Sequence, residues 1–219
     1  MAGQSYDALK TQQRALVRKM VQGSVFIAPE TADVISTLTD STDKKLSPLP
    51  AGYTDLGLLT TDGIQFARDV NASDITSYGH TEPSRSDITS DVVTLQVTAQ
   101  ETKALSLSMY IGADLADFTP DPTSGELKVM KPPAGDSRYF RAVAIGVDKN
   151  AAGEIYSARF FPKCKVDSYE DVTMQSGDDT AFGYGFTLKA FTDDVVGASE
   201  VWYFGGPGWQ SLLTEMNFS

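Results

Sequence analysis

The stretch DVVTLQVTAQ, residues 91–100, decides the fold class of this chain. Apolar and polar side chains alternate in it without interruption from Val93 to Ala99. Successive side chains of a strand point to opposite faces, so the alternation predicts an antiparallel strand with one buried face. That face requires a second layer, which a chain with several short strands supplies as a sandwich or a partial barrel.

A helix is predicted directly after this strand. Thr98 and Glu101 have the spacing of a capping box, in which a hydroxyl and a carboxylate each accept a hydrogen bond from a free backbone amide. Apolar residues of the stretch 104–111 then fall on one helical face. Gly112 is the expected end of the helix.

Upstream, LGLLTTDGIQFARDV, residues 56–70, predicts a tight hairpin. Asp62 and Gly63 stand between two runs that are rich in apolar and β-branched residues, and both tolerate the positive φ of a type I′ turn. Counting outward from the turn pairs Leu59 with Phe66 on one face of the hairpin.

Further strands are predicted where apolar runs lie between turn residues. They cover residues 23–29, 75–78, 125–133, 138–148, 155–166, 180–191 and 200–204. The runs 138–148 and 155–166 predict a hairpin about the turn Asn150–Gly153, and Trp202 in the last strand is expected to be buried. Residues 80–87 are expected to form an exposed, turn-rich link.

The N-terminus predicts an amphipathic helix over Ser5–Gln22, with a narrow apolar stripe that favours packing on protein over a membrane surface. The Thr-, Ser- and Asp-rich residues 31–52 predict a loop or an extended arm. The predicted organisation is an N-terminal helix and arm over 1–45, one domain over 46–205 and a tail over 206–219. The domain is expected to be a mainly β, antiparallel sandwich or partial barrel with a flanking α-helix.

Charge excludes a surface that holds nucleic acid. The 219 residues include 18 basic and 29 acidic ones, a formal net charge of −11. Lys189 is the one base from Asp167 to the end, a stretch that holds nine acids. Such a surface repels phosphate, so neither specific nor adhesive binding of DNA is expected. No apolar run approaches the length of a membrane helix, and the N-terminus lacks the features of a secretory signal.

Residues equipped for chemistry are few. The chain has one Cys and one His, which predicts no disulfide, no transition-metal site and no cofactor. His80 with Ser84 or Ser86 and Asp87 lacks any motif of a catalytic triad, so His80 is expected to be a surface residue. The acid pairs Asp178-Asp179 and Asp193-Asp194 are expected to be solvated, and the chain is predicted not to be an enzyme.

The order of these segments resembles the major tail tube proteins of long-tailed, non-contractile bacteriophages, especially those of actinobacterial hosts. The resemblance covers about residues 50–205. In the first half it rests on Leu56-Gly57, Asp62-Gly63, Ile75, Tyr78-Gly79 and Glu101, with Tyr78 where the family often has Trp. In the second half it rests on residues 138–148, 158–174, 184–194 and 201–204.

The resemblance implies a structural virion protein without an active site. It implies hexameric rings that stack into a tube, with the inner sheets of six subunits joined around a channel. Implied partners are the tape measure protein inside the channel, and the tail terminator and distal tail proteins. The protein would be made in the host cytoplasm, reside in the phage tail and let DNA through at ejection, with no membrane partner.

Within that resemblance, the candidate subunit contact is the predicted hairpin with Leu59, Asp62, Gly63 and Phe66. Asp178 and Asp179 are candidate channel-facing or loop acids. The N-terminal helix and residues 31–52 are candidates for reaching neighbouring subunits, so deletion of residues 1–45 is expected to leave a folded monomer that makes no long tubes. The alternative is a carbohydrate-binding or glycoside-acting β-sandwich, in which Trp202 and Trp209 would form a sugar platform.

Overall fold

The computed structural model describes residues 3–133, 137–175 and 181–218, and its regular structure is mainly antiparallel β-sheet. The strands are β1 (Gln22–Pro29), β2 (Thr54–Asp55), β3 (Gln65–Thr76), β4 (Pro83–Ala99), β5 (Phe140–Asn150), β6 (Gly153–Tyr169), β7 (Tyr184–Ala190) and β8 (Val201–Gly205). The helices are α1 (Tyr6–Leu9), α2 (Ala104–Ile111) and α3 (Pro207–Gln210), with 3-10 turns at Arg14–Leu16 and Leu115–Asp117.

The strands form one sheet in the order β2-β1-β5-β6-β7-β4-β3, with β8 paired to β6 outside this order. The strand β6 changes neighbours along its length, because residues 153–164 pair with β5 whereas residues 164–169 pair with β7. The sheet therefore divides at Cys164 into two layers. The body layer contains β2, β1, β5, β8 and residues 153–164, and the hairpin layer contains residues 165–169, β7, β4 and β3.

The two layers pack face to face around one apolar core. Val25 and Ile27 of the body layer and Leu95 and Phe186 of the hairpin layer are each at most 2% exposed. Met109 of α2 is buried against the same cluster. The predicted mainly β, antiparallel fold with a flanking helix is thus confirmed. The alternation in β4 is confirmed as well, since its apolar residues from Val93 to Ala99 are all buried.

A second apolar cluster lies on the opposite face of the body layer. Its strand residues are Val143, Ile145, Tyr156, Ala158 and Phe160. Ile35 and Leu38 of the segment 31–52 cover them and are each 5% exposed. The Tyr203 hydroxyl donates a hydrogen bond to the carbonyl oxygen of Ile35, which fixes this segment to β8. Residues 31–52 therefore pack onto their own chain instead of extending from it.

The prediction of a hairpin about Asp62-Gly63 is wrong, because the chain does not reverse its direction at this turn. Leu59 pairs with Ala99 before the turn, and Gln65 pairs with Gln96 after it, so both flanks lie along β4. The turn closes by a hydrogen bond from the Gly63 amide to the Thr60 carbonyl oxygen at 3.0 Å. Gly63 has φ +73 and Asp62 has no positive φ, so the turn is not of type I′. It is a loop that bulges from a continuing strand.

The actual hairpin of this region is formed by β3 and β4, which pair from Gln65↔Gln96 to Thr76↔Pro83. Residues 75–78 and 80–87 therefore belong to one long ribbon and its turn, not to a brief strand and a link. The ribbon was not recognisable as such because residues 65–89 are exposed on both faces. A strand with two solvated faces carries no period-2 apolar pattern.

Both predicted helices are shorter than the patterns indicate. The N-terminal one is a single turn, α1, since residues 3–15 are exposed and an isolated helix of this length is marginal in water. The helix α2 ends at Gly112 as predicted but begins after Lys103, with no capping box. Glu101 instead accepts a hydrogen bond from the Leu58 amide at 2.7 Å and pairs with Lys103 at 2.8 Å. The hydrogen bond with Lys103 and, to a smaller extent, that from the Leu58 amide lower the pKa of the Glu101 carboxyl.

Two other predictions have opposite outcomes. The hairpin of β5 and β6 about Asn150↔Gly153 is confirmed. Residues 125–133 were expected to be a strand and have no regular structure. Their first residues belong to a turn in which the Asp121 amide donates to the Glu126 carbonyl oxygen at 2.9 Å.

The position of β1 changes the expected result of an N-terminal deletion. Removal of residues 1–17 should leave the melting temperature within about 2 °C of the parent, because the exposed residues it removes add nothing to either core. Removal of residues 1–45 should prevent folding, because Val25, Ile27, Ile35 and Leu38 are lost with it. Burial of each is worth about 1.5–3 kcal/mol against a total stability of about 5–15 kcal/mol. Circular dichroism during heating measures both results, and a folded 1–45 deletion would contradict this account.

Candidate subunit interface

Residues proposed for catalysis are not assembled into a site. His80 lies exposed in the turn between β3 and β4. The Ser84 hydroxyl hydrogen-bonds the Ser77 hydroxyl at 2.7 Å, and the Asp87 carboxylate accepts from Arg85 at 2.7 Å, so neither serves His80. Within residues 3–133, 137–175 and 181–218, no group of three His, Cys, Asp or Glu side chains is placed to hold a metal ion. No helix of these residues is long and apolar enough to span a membrane.

The two acid pairs have different positions. Asp178 and Asp179 lie outside the described residues. Asp193 was expected to be solvated and is only 5% exposed. Its carboxylate lies 3.5 Å from Arg141 and accepts hydrogen bonds from two amides of its own turn, each at 2.9 Å. This acid is therefore a structural anchor of the 193–198 turn, since buried charges persist where they are paired and hydrogen-bonded.

The ribbon of β3 and β4 exposes large apolar side chains that touch no core. Val70, Ile75, Tyr78 and Ile88 are 45%, 54%, 106% and 69% exposed. An isolated two-stranded ribbon is at best marginally stable in water. Exposed apolar residues grouped on such a ribbon mark a surface that binds protein.

The hairpin layer also has two free strand edges. The strand β3 has β4 on one side and no described strand on the other. At the opposite end of the layer, β5 stops at the pair Phe140↔Cys164, so among the described strands residues 165–168 pair only with β7. A free edge presents backbone N–H and C=O groups that another strand can pair with. The layer is thus open to strand pairing at both ends.

The outer face of the hairpin layer is polar. Thr94, Gln96 and Thr98 of β4 lie beside Thr187 and Lys189 of β7. The Glu170 carboxylate accepts hydrogen bonds from Gln96 and Thr98 across this face. A side chain at position 185 would overlap that carboxylate, which explains the glycine there.

A pair of lysines marks the same polar face. Lys165 of β6 is directly opposite Lys189 of β7 in the register. Neither makes an ion pair with an acid in the described part of the chain. Like charges directly opposite each other on two strands are destabilising, so the lysine pair lowers the stability of the isolated subunit.

The predicted contact residues lie at the root of the ribbon. Leu59 packs against the core between the layers, whereas Asp62 is exposed and Gly63 is half-buried. Phe66 stacks on Phe161 of β6 with 6.3 Å between ring centroids. Leu59 and Phe66 therefore anchor the ribbon to its own subunit.

Arg159 of β6 clamps this root. Its guanidinium lies 4.0 Å from the ring centroid of Phe66 and 4.3 Å from that of Trp202, and it pairs with Glu200. The side chains of Arg159 and Glu200 are 13% and 11% exposed. The clamp was missed in the sequence because its members come from three distant strands or loops. Trp202 was expected to be buried and is 53% exposed, because β8 lies beyond the part of the body layer that the hairpin layer covers.

We expect Arg159→Ala to lower the free energy of unfolding by about 3 kcal/mol, because it leaves the largely buried Glu200 carboxylate without its partner. Arg68→Ala, which removes an exposed pair with Asp91, should cost less than about 1 kcal/mol and serves as the matched control. Denaturant unfolding followed by fluorescence measures both. Equal losses would show that Arg159 does not clamp the root.

Comparison with known proteins was made against family models, curated proteins and solved structures. A family model described as phage tail tube protein matches residues 11–198. The search of curated proteins finds no match. Among solved structures the chain is similar to one titled "Crystal structure of Hcp protein", with 7% identity, a TM-score of 0.33, and 83% of this chain and 97% of that chain covered. The family match extends over β1 to β7, which includes the hairpin layer, the exposed ribbon and all of the body layer except β8. The chain therefore belongs to the phage tail tube protein family.

Proposed function

We propose that this tail tube protein closes into hexameric rings through the two free edges of its hairpin layer. The observation that carries the proposal is that β3 and residues 165–168 end the same layer without a further strand partner among the described residues. Pairing β3 of one copy with residues 165–168 of the next is a heterologous contact, which yields a ring if the rotation closes. Closure satisfies the backbone groups of both edges, as it does in a barrel.

The packing of the layers decides which face would line the bore of such a ring. The apolar face of the hairpin layer is covered by the body layer of the same chain. The body layers of all copies are too bulky to fit inside the ring, so they would lie outside. The polar face with Thr94, Gln96 and the lysine pair would then face the channel. Lys165 and Lys189 are thus further candidate channel residues, whereas a channel position of Asp178 and Asp179 stays a prediction.

The size of the bore follows from strand spacing. Six copies of a four-stranded layer supply a circumference of about 115 Å at about 4.8 Å for each strand, hence a diameter of about 37 Å between backbones before strand tilt. After side chains are subtracted, that width admits a DNA duplex. The proposed tube would hold the tape measure protein during assembly and let DNA through at ejection. The net charge of −11 for each copy repels phosphate from the tube as a whole, whereas Lys165 and Lys189 would place positive charge on the bore itself.

The exposed ribbon would join one ring to the next. Its distal residues lie beyond the two layers and expose Val70, Ile75, Tyr78 and Ile88. Burying these side chains against a neighbouring ring supplies the axial contact that turns rings into a tube. In this proposal the tube belongs to a non-contractile tail, ends at the tail terminator and distal tail proteins, and is built in the host cytoplasm.

Negative-stain electron microscopy of concentrated protein tests the proposal, with rings of six and stacked tubes as the expected result. A protein that stays monomeric both at high concentration and when mixed with its tape measure protein would overturn it.

Shortening the ribbon should separate rings from tubes. Replacing residues 72–89 by Asn-Gly joins the paired residues Asn71 and Ser90 through a two-residue turn. All replaced residues are exposed, so the melting temperature should change by no more than about 2 °C. We expect single rings and no long tubes in electron micrographs.

The matched control replaces residues 122–125, an exposed turn closed between Asp121 and Glu126, by the same Asn-Gly. This variant should form tubes of ordinary length. Long tubes from the shortened ribbon would show that the axial contact lies elsewhere.

A further inference from the structure

Four aromatic side chains form an exposed row at the end of the body layer. The row consists of Trp202 and Phe204 of β8, Trp209 of α3 and Phe218. Successive ring centroids lie 6.0, 4.9 and 6.2 Å apart. Trp202, Phe204 and Phe218 are 53%, 46% and 58% exposed. A contiguous aromatic patch of this kind marks a binding surface, because its burial is favourable and few rotamers are lost.

The surroundings of the row are acidic. Residues 190–219 contain four acids and no base. One of them, Glu200, pairs with Arg159, whose guanidinium lies 4.3 Å from the ring centroid of Trp202, and Trp202 still remains 53% exposed. The row therefore suits a ligand that is both apolar and basic.

The N-terminal arm, residues 3–20, has that composition. It contains four bases, Lys10, Arg14, Arg18 and Lys19, and one acid, Asp7. Tyr6, Leu9 and Val17 are 74%, 63% and 77% exposed. The arm makes few contacts with its own fold, the main ones being Met20 against Gly146 and Arg18 against Asp148.

The arm does not cover the aromatic row of its own chain. The register Gly23↔Gly146, Gly146↔Ser157 and Ser157↔Phe204 places the root of the arm and Phe204 in one row across the sheet. Three strand spacings of about 4.8 Å separate them, about 14 Å. Phe204 is nevertheless 46% exposed, and Tyr6, Leu9 and Val17 of the arm are 74%, 63% and 77% exposed. Both surfaces are thus available to a second copy.

We propose that the N-terminal arm of one copy docks on the aromatic row of a neighbouring copy. The inference rests on the self-assembly proposed above, which holds the two surfaces close together and raises their effective concentration. Basic side chains of the arm would lie against the exposed parts of the aromatic rings. Tyr6, Leu9 and Val17 would bury apolar surface against Phe204 and Phe218.

The tryptophans report on this contact directly. The chain has two Trp residues, Trp202 and Trp209, and both lie in the row, whereas the arm has none. A synthetic peptide of residues 3–20 is titrated into the dilute, monomeric full-length protein under Trp-selective excitation. We expect a saturable blue shift of the emission. A peptide with its four bases replaced by Gln should bind about tenfold more weakly or worse.

Variants of the receptor surface complete the test. Phe204→Ser with Phe218→Ser keeps both reporters and should weaken peptide binding by about tenfold or more. Val195→Ser removes an apolar side chain that is 80% exposed elsewhere and should leave the affinity unchanged. If the double variant does not fold, the affinities of the 3–20 peptide and its Gln version for the unmodified protein still test the docking.

Four results would overturn the docking: no emission change, equal binding of the Gln peptide, equal weakening by Val195→Ser, or a shift by a neutral oligosaccharide but not by the peptide. The last result would identify the row as a sugar-binding surface. Tubes that form without any arm binding would overturn the docking alone. Arm binding by a protein that never assembles would overturn the proposed tube and leave the docking in place.

Discussion

The change of strand neighbour along β6 is the constraint on which the rest of the structure depends. Up to Cys164 this strand is tied to β5, and beyond it to β7, so one strand belongs to both layers. The layers can therefore face each other and bury Leu95 and Phe186 against Val25 and Ile27. The same change leaves residues 165–168 without a described strand on one side. The packed core and the open strand edge thus both result from the change of neighbour along β6.

The ribbon of β3 and β4 combines a fixed root with an exposed end. At the root, Phe66 is held between Arg159 and Phe161, and the far residues touch neither core. A surface that binds another copy benefits from this division, because a fixed root limits the conformational entropy that is lost when the end becomes ordered. Stability of the subunit and assembly of subunits are then served by different parts of one hairpin.

Sequence patterns predicted the buried elements well. The alternation in β4, the hairpin of β5 and β6, and the end of α2 at Gly112 all follow from residues whose environment is set by their own neighbours in the chain. The order of the segments also indicated the family of the chain. The match over residues 11–198 shows that family.

The features that were predicted wrongly depend on contacts between residues distant in the sequence, and such contacts leave no pattern in the local sequence. Asp62-Gly63 has the local chemistry of a hairpin, yet β4 offers pairing to both flanks and the chain continues. Trp202 is apolar enough for a core, but no second layer reaches it. Glu101 was placed in a capping box because the Leu58 amide, 43 positions away, could not be foreseen as its partner.

The burial of the single thiol of the chain has a consequence for disulfide cross-linking between copies. Cys164 is completely buried, its Sγ lies 3.3 Å from the Phe140 carbonyl oxygen, and burial raises the pKa of the thiol. The thiolate is the nucleophile in disulfide exchange, so a copy in this state does not cross-link to another. In a polymer of many identical copies, a reactive sulfur on each would lock misplaced subunits covalently. A buried thiol avoids such cross-links, so in the proposed tube a misplaced copy could still dissociate.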